Sequence, residues 1–275
     1  MDAQQRDADR SGRSYVRTAD RRQIHYRYAS PAEPPSAPPL VCLHCSPVSS
    51  RVFEAFLVPM ARDRRVIAID TPGYGGSDPL DGDVSIERYA AAIGEAVAGL
   101  VEGPVDLFGY HTGSAIALAL AAARPSAVRR LVLNSALMFG DAERAGLPIF
   151  QAREAMTIEQ RVADLPAYWR FFRDFWVELP DDATTWPLFL DSMRQASGQL
   201  DGFFAAFSYD FEGALRSVAH PVLLLNPSDD LHEATLRAKP LLKVDGRMLD
   251  LPGWTHGFLQ ARAEETAALL RTFLV

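Results

Sequence analysis

The sequence predicts an α/β fold in which a mainly parallel central sheet is flanked by helices and interrupted by a helical insert. Three observations carry this. Short apolar runs alternate with stretches of helical spacing over residues 40–134 and again from Pro221 onward, the pattern of strand–helix units in a parallel sheet. Residues 141–211 break that alternation with helical patterning and hold 14 of the 27 aromatic residues. Between them, an apolar strand runs into Gly109-Tyr110-His111-Thr112-Gly113 and then a helix, with glycines where a sharp strand-to-helix turn has no room for Cβ atoms.

The elements follow in order. Residues 15–18 and 23–28 read as a hairpin around Asp20-Arg21, and a proline-rich connection fills 30–39. Residues 40–43 form a short buried strand. Helical spacing over 49–61 begins at Ser49 or Ser50 as N-cap. A strand over 65–69 ends at Asp70. An amphipathic helix over 85–101 opens on Ser85-Ile86-Glu87-Arg88, a capped start. Then come a strand at 104–108, the glycine turn, a helix over 113–123 and a strand at 130–134. After the insert, a strand runs from Pro221 to Asn226, a helix lies near 232–243, a strand covers 247–250 and a last helix spans 258–273. The α/β core is expected to be 13–140 and 212–275, with 141–211 as a cap over the carboxyl ends of the strands, where such sheets bind ligands. Residues 1–12 read as a disordered tail.

Composition narrows the function. An apolar fraction of 48% in 275 residues supports one sizeable core. The net charge of −7 gives no attraction to nucleic acid or an anionic membrane, and no run reaches the ~20 apolar residues of a membrane span. The polar start lacks the apolar stretch of a secretory signal, so a cytoplasmic protein is expected. The two cysteines, in Cys42-Leu43-His44-Cys45, straddle a strand end. An extended separation of roughly 10 Å by strand rise is too long for a disulfide, so both are expected as reduced thiols.

Five segments stand in register with one known pattern. Leu43-His44-Cys45-Ser46-Pro47 follows the third strand, and Asp70-Thr71-Pro72-Gly73-Tyr74-Gly75-Gly76-Ser77-Asp78 follows the fourth. Gly109-Tyr110-His111-Thr112-Gly113 is the strand-to-helix turn. Asn226-Pro227-Ser228-Asp229-Asp230 and Pro252-Gly253-Trp254-Thr255-His256 end the set. From Tyr15 onward the chain resembles the α/β-hydrolase superfamily, in particular capped members such as epoxide hydrolases, dehalogenases and C–C bond hydrolases. The order elbow, acid, histidine is the one that fold uses. Two departures stand out: Cys45 replaces the glycine of the oxyanion loop, and His111 stands where the elbow serine belongs.

The resemblance implies that His256 is the catalytic base, oriented by Asp230 with Asp229 as the fallback, and that the amides of Thr112 and Ser46 form the oxyanion hole. Asp230 would make His256 the more readily protonated of the two facing imidazoles. His111 has three uses open to it: a second acid/base, a covalent nucleophile, or a relic in a site that only binds. Ser114, in the first helical turn, reads as a packing or capping residue rather than a displaced nucleophile. Cys45 reads as part of the loop, since that loop presents its backbone to the oxyanion.

The aromatics of the insert, Trp169, Phe172, Phe175, Trp176, Phe203, Phe204 and Phe207, exceed what a small helical cap needs for its own core. An apolar pocket is expected, lined by His44, Cys45, Tyr110, Trp169, Phe172, Trp176, Phe207 and Trp254. His44 also reads as a loop-shaping residue, and His232 as a surface one. No cofactor is expected and no metal, because in the resembled fold the acid lies behind His256, on the nitrogen turned away from the elbow. The leading function is an enzyme acting on a small apolar carbonyl, ester or activated substrate through His111, His256 and Asp230, as a monomer or homodimer. Its rivals are a lyase, isomerase or cofactor-free C–C bond enzyme on the same site, and a catalytically silent small-molecule-binding protein.

Overall fold

The computed structural model describes residues 10–146, 157–194, 200–243 and 245–275. Its strands are β1 (Ser11–Arg17), β2 (Gln23–Ala29), β3 (Leu40–Leu43), β4 (Val66–Ile69), β5 (Val105–Tyr110), β6 (Val128–Asn134), β7 (Val222–Pro227) and β8 (Arg247–Leu251). They form one sheet in the order β1-β2-β4-β3-β5-β6-β7-β8. β1 and β2 enter antiparallel, and every pairing from β4 to β8 is parallel. This is the mainly parallel sheet that the strand–helix alternation predicts.

The helices are α1 (Glu54–Met60), α2 (Ile86–Leu100), α3 (Thr112–Ala123), α4 (Asp141–Gly146), α5 (Ile158–Phe175), α6 (Asp182–Met193), α7 (Asp201–Ser208), α8 (Phe211–Ser217), α9 (His232–Leu236), α10 (Phe258–Ala261) and α11 (Ala263–Phe273). The central strands are buried on both faces and still alternate. Val41, Leu43, Ile67, Ile69, Leu107, Leu131, Leu133 and Leu224 pack with α2, α3 and α8 on one side. Leu40, Cys42, Val66, Ala68, Phe108, Val132, Leu223 and Leu225 pack with α1, α10 and α11 on the other. A strand's period of two delivers successive residues to opposite layers, so the near-continuous apolar runs follow from having helices on both faces.

Several expectations are corrected in detail. β1 begins at Ser11 and pairs Gly12 with Tyr28, so the chain is ordered earlier than a tail over 1–12 allows; residues 1–9 lie outside the described residues. β5 runs two residues past 108, which places the turn at His111 itself. The helix expected near 232–243 stops at Leu236, and a 3₁₀ turn at Lys239–Leu241 follows. The helix expected over 258–273 is broken at Arg262 into α10 and α11. The inserted region is helical as expected, through α4, α5, α6 and α7, while residues 147–156 and 195–199 of the expected cap lie outside the described residues. Cys42 and Cys45 are buried free thiols, as their spacing predicts. No helix among the described residues is long and apolar enough to cross a membrane.

The strand order reverses at β3. From there β4 lies to one side and β5 to the other. Ligands bind open α/β sheets in the crevice at that switch point, beyond the carboxyl ends of the strands. His44–Ser46 follow β3, His111 follows β5, Ser135 follows β6, and Asp229 and Asp230 follow β7.

Candidate active site

His111 sits at the tip of the β5–α3 turn with φ 49° and ψ −110°. Such backbone angles are uncommon for a residue with a Cβ and cost about 1–3 kcal/mol, so the surroundings must enforce them. They do so through close packing. A Cβ on Gly113 would lie 1.9 Å from the Leu43 carbonyl oxygen, and one on Gly109 would lie 2.4 Å from that of Gly113. Only glycines let α3 start this close to β3 and β5. Ser114 lends its hydroxyl to the carbonyls of Gly109 (3.0 Å) and Asn134 (2.9 Å), the capping role expected of it.

Two imidazole–carboxylate pairs meet above the turn. His111 Nε2 lies 2.8 Å from Asp229 Oδ2, and His256 Nε2 lies 2.8 Å from Asp230 Oδ1. The ring centroids of the two histidines are 4.9 Å apart. Asp230 is the carboxylate bonded to His256. Asp229, expected only as a fallback partner of His256, is bonded to His111. The Ser135 hydroxyl, from a residue with φ 66°, donates to the same Asp229 oxygen at 2.8 Å, and the Leu231 N–H donates to the other at 2.9 Å.

The hydrogen bonds fix the tautomers. An ionised carboxylate only accepts, so each Nε2 carries a proton. In the neutral rings Nδ1 is then an acceptor. On His256 that nitrogen is taken by the Tyr110 hydroxyl at 3.0 Å. On His111, Nδ1 makes no hydrogen bond among the described residues, and the side chain is 12% exposed. The second nitrogen of His256 is therefore not free: Tyr110, placed by sequence in the pocket lining, occupies it.

Electrostatics separates the rings in the direction opposite to expectation. Burial presses His111 toward neutrality. The charge and hydrogen bond of Asp229, with Asp230 behind them, outweigh this and raise its pKa. Burial also lowers His256; the Asp230 bond opposes this, and the nearby His111 charge reinforces it, leaving the pKa depressed. The more readily protonated ring is His111. Burial opposes charge on Asp230 too, yet the His256 bond and the two imidazoles hold its carboxyl at about 2.

The remaining expected residues take varied places. His44 is buried, with Nδ1 on the Cys45 carbonyl (2.9 Å) and Nε2 accepting from the Thr71 N–H (2.9 Å), so its ring shapes the loop and has no nitrogen left for a ligand. Cys45 is buried and its thiol pKa is pushed up, which makes it a poor nucleophile. Thr112 opens α3, where the N–H has no intrahelical partner. The Ser46 N–H turns to Thr112 Oγ1 at 3.4 Å, a long bond. Phe172 and Trp176 are buried against Phe189 and Tyr110 respectively, and Trp169 packs edge-on to Trp186 and Phe189. Phe207 packs on Phe139, and Trp254 on Phe258 under the Arg262 guanidinium. His232 is half-buried with Nδ1 on the Pro227 carbonyl at 2.8 Å.

Two contacts were not legible as site features. Phe175, noted only among the aromatics of the insert, stacks on His256 with centroids 4.0 Å apart. Glu178 carries no sequence signal, yet its N–H donates to the His256 carbonyl at 3.0 Å and its carboxylate accepts from the Thr255 N–H and hydroxyl and from Arg262 Nε. The insert thereby holds the histidine loop.

The chain belongs to the alpha/beta hydrolase family, whose model matches residues 40–269. It is an enzyme of that superfamily. It is similar to a bifunctional esterase/perhydrolase from Acinetobacter calcoaceticus, 28% identical over 94% of this chain and 99% of the relative. A 2-hydroxy-6-oxo-2,4-heptadienoate hydrolase from Pseudomonas putida is 31% identical over 67% of this chain and 69% of its own. Among solved structures, an esterase from Exiguobacterium antarcticum superposes with a TM-score of 0.77 at 19% identity, covering 95% of this chain and 98% of that one, and so shares the fold.

Proposed function

We propose that the protein hydrolyses a small apolar ester- or carbonyl-type substrate, with His111 as acid/base in the place where the family carries its serine. Asp229 orients His111, and the His256–Asp230–Tyr110 chain forms the adjoining wall. The single observation that carries this reading is the bonding of His111 at the elbow tip: Nε2 is tied to a carboxylate while Nδ1 has no hydrogen-bond partner among the described residues. A paired carboxylate supports imidazolium formation as the ring takes a proton. The names of the relatives, an esterase/perhydrolase and a dienoate hydrolase, support the substrate class.

In this reading Nδ1 removes a proton from water, and the oxygen attacks the carbonyl carbon. The carbonyl electron pair moves onto its oxygen, which the Thr112 N–H meets and which can displace Thr112 Oγ1 from the Ser46 N–H. The C–O bond then breaks as the oxyanion collapses, and the imidazolium returns its proton to the leaving alkoxide. Residues 141–211 act as the cap, with Phe175 against His256 as its apolar wall.

The test is a panel of short p-nitrophenyl esters with a fluorophosphonate probe alongside. Wild type should turn over esters without being labelled, and His111→Ala should lose ~10²–10⁴-fold in rate by the usual size of an acid/base contribution. Ester turnover that His111→Ala leaves unchanged, or stoichiometric labelling of wild type, would overturn the reading.

A further inference from the structure

The four side chains of the site also make an arrangement that proton transfer alone does not require. One ligand-type atom from each of His111, Asp229, Asp230 and His256 lies within 4.8 Å of every other. The expectation that a metal between the histidines would lack a carboxylate is therefore overturned, since Asp229 reaches the His111 nitrogen at 2.8 Å and Asp230 the His256 nitrogen at 2.8 Å. Atoms bound to one ion at about 2.0–2.2 Å sit about 3–4 Å apart, so closing this set draws the widest pair in by about 1–2 Å, shared between two side chains.

Charge points the same way. Asp229 and Asp230 are adjacent in sequence and each meets one of the two facing imidazoles, and the Asp229 side chain is only 1% exposed. Among the described residues neither pairs with a lysine or arginine, and their ionic partners are the two imidazoles alone. That leaves the negative charge of the two carboxylates without a lysine or arginine counter-ion among the described residues. A divalent ion would neutralise it and replace the Nε2 protons.

We infer that His111, Asp229, Asp230 and His256 form a binding site for one divalent first-row transition-metal ion. Two imidazoles with two carboxylates suit Zn²⁺, Fe²⁺, Co²⁺ or Ni²⁺ over Ca²⁺ or Mg²⁺, which prefer oxygen alone. The inference uses the residues of the hydrolase reading but does not need that reading to hold.

Full-length protein is stripped with chelator, then titrated with Zn²⁺ by calorimetry and with Co²⁺ in the visible spectrum. One Zn²⁺ per chain is expected, with Co²⁺ d–d bands of a nitrogen–oxygen site. Asp230→Asn and His256→Gln should each bind at least tenfold more weakly. Asp230 is the safer variant for folding because its side chain is half exposed. No uptake by wild type, or unchanged affinity in both variants, would overturn the site. Ester hydrolysis by stripped enzyme that takes up Zn²⁺ supports both readings. Activity lost on stripping and restored by Zn²⁺ supports the site and overturns the metal-free base. Hydrolysis without uptake does the reverse.

Discussion

The Tyr110 hydroxyl donates to Nδ1 of His256 at 3.0 Å while Asp230 holds the opposite nitrogen. Tyr110 is the residue just before the elbow tip, so the turn that presents His111 also fixes the tautomer of its neighbour. Tyr110→Phe keeps the ring contacts with Trp176 and Phe258 but leaves a buried ring nitrogen without a donor. The expected cost is about 1–3 kcal/mol in urea unfolding. The ¹⁵N shifts of His256 should move, whereas loss of packing alone would leave them in place.

That bond also governs whether the family's serine chemistry can be restored. His111→Ser supplies a hydroxyl, but the adjacent His256 nitrogen is already engaged. The single variant is expected to label poorly with fluorophosphonate. The double variant His111→Ser/Tyr110→Phe, with the nitrogen free, should label and gain esterase activity. Equal labelling of the two by mass spectrometry would show that Tyr110 does not gate the base.

The turn tolerates little change. Gly113→Ala places a methyl 1.9 Å from a backbone oxygen that belongs to β3 and has no room to retreat. A loss of more than about 4 kcal/mol is expected, the range reserved for severe backbone or core disruption. A melting temperature within a few degrees of wild type would contradict the close approach of α3 to β3.

Asp70 gives the pH prediction. Burial opposes its charge. The His25 ring at 2.7 Å, the Ser50 N–H at 2.7 Å and the Gly76 N–H at 2.8 Å outweigh that and hold the carboxyl at about 2. A depressed carboxylate pKa stabilises the fold above the ordinary value near 3.8 and loses that contribution as pH falls through about 2. The full contribution is about 2–3 kcal/mol. Asp70→Asn should therefore be less stable than wild type at pH 6, and the gap should shrink between pH 4 and 2. A gap that stays constant with pH would assign the loss to packing.

Phe175 separates site from core. It is 36% exposed yet stacks on His256, whereas Phe172 beside it is 3% exposed. Phe175→Ala should cost under about 1 kcal/mol and raise KM for esters, while Phe172→Ala should cost about 3–5 kcal/mol. The two are told apart by unfolding curves and steady-state kinetics measured together.

The sequence by itself determined the architecture and the meeting place. Apolar periodicity set the parallel sheet and its helical layers, because a strand or helix of given patterning has few ways to bury its face. The glycines at 109 and 113 marked the turn, because only they fit its steric demands. His111, the Asp229–Asp230 pair and His256 fell at strand ends that any such sheet brings to one edge. What the tertiary structure decided is which partner each imidazole takes. Asp229 and Asp230 are one residue apart, and a small difference in loop path sends one carboxylate to each ring. Tyr110 and Phe175 reach His256 from β5 and from the insert, elements whose separation in sequence hides their contact. Glu178 carries no local pattern because its bonds run to a loop some eighty residues later. Hydrogen-bond assignment and the order of protonation depend on distances of a few ångströms between distant segments, and those exist only after the core has fixed where each strand ends.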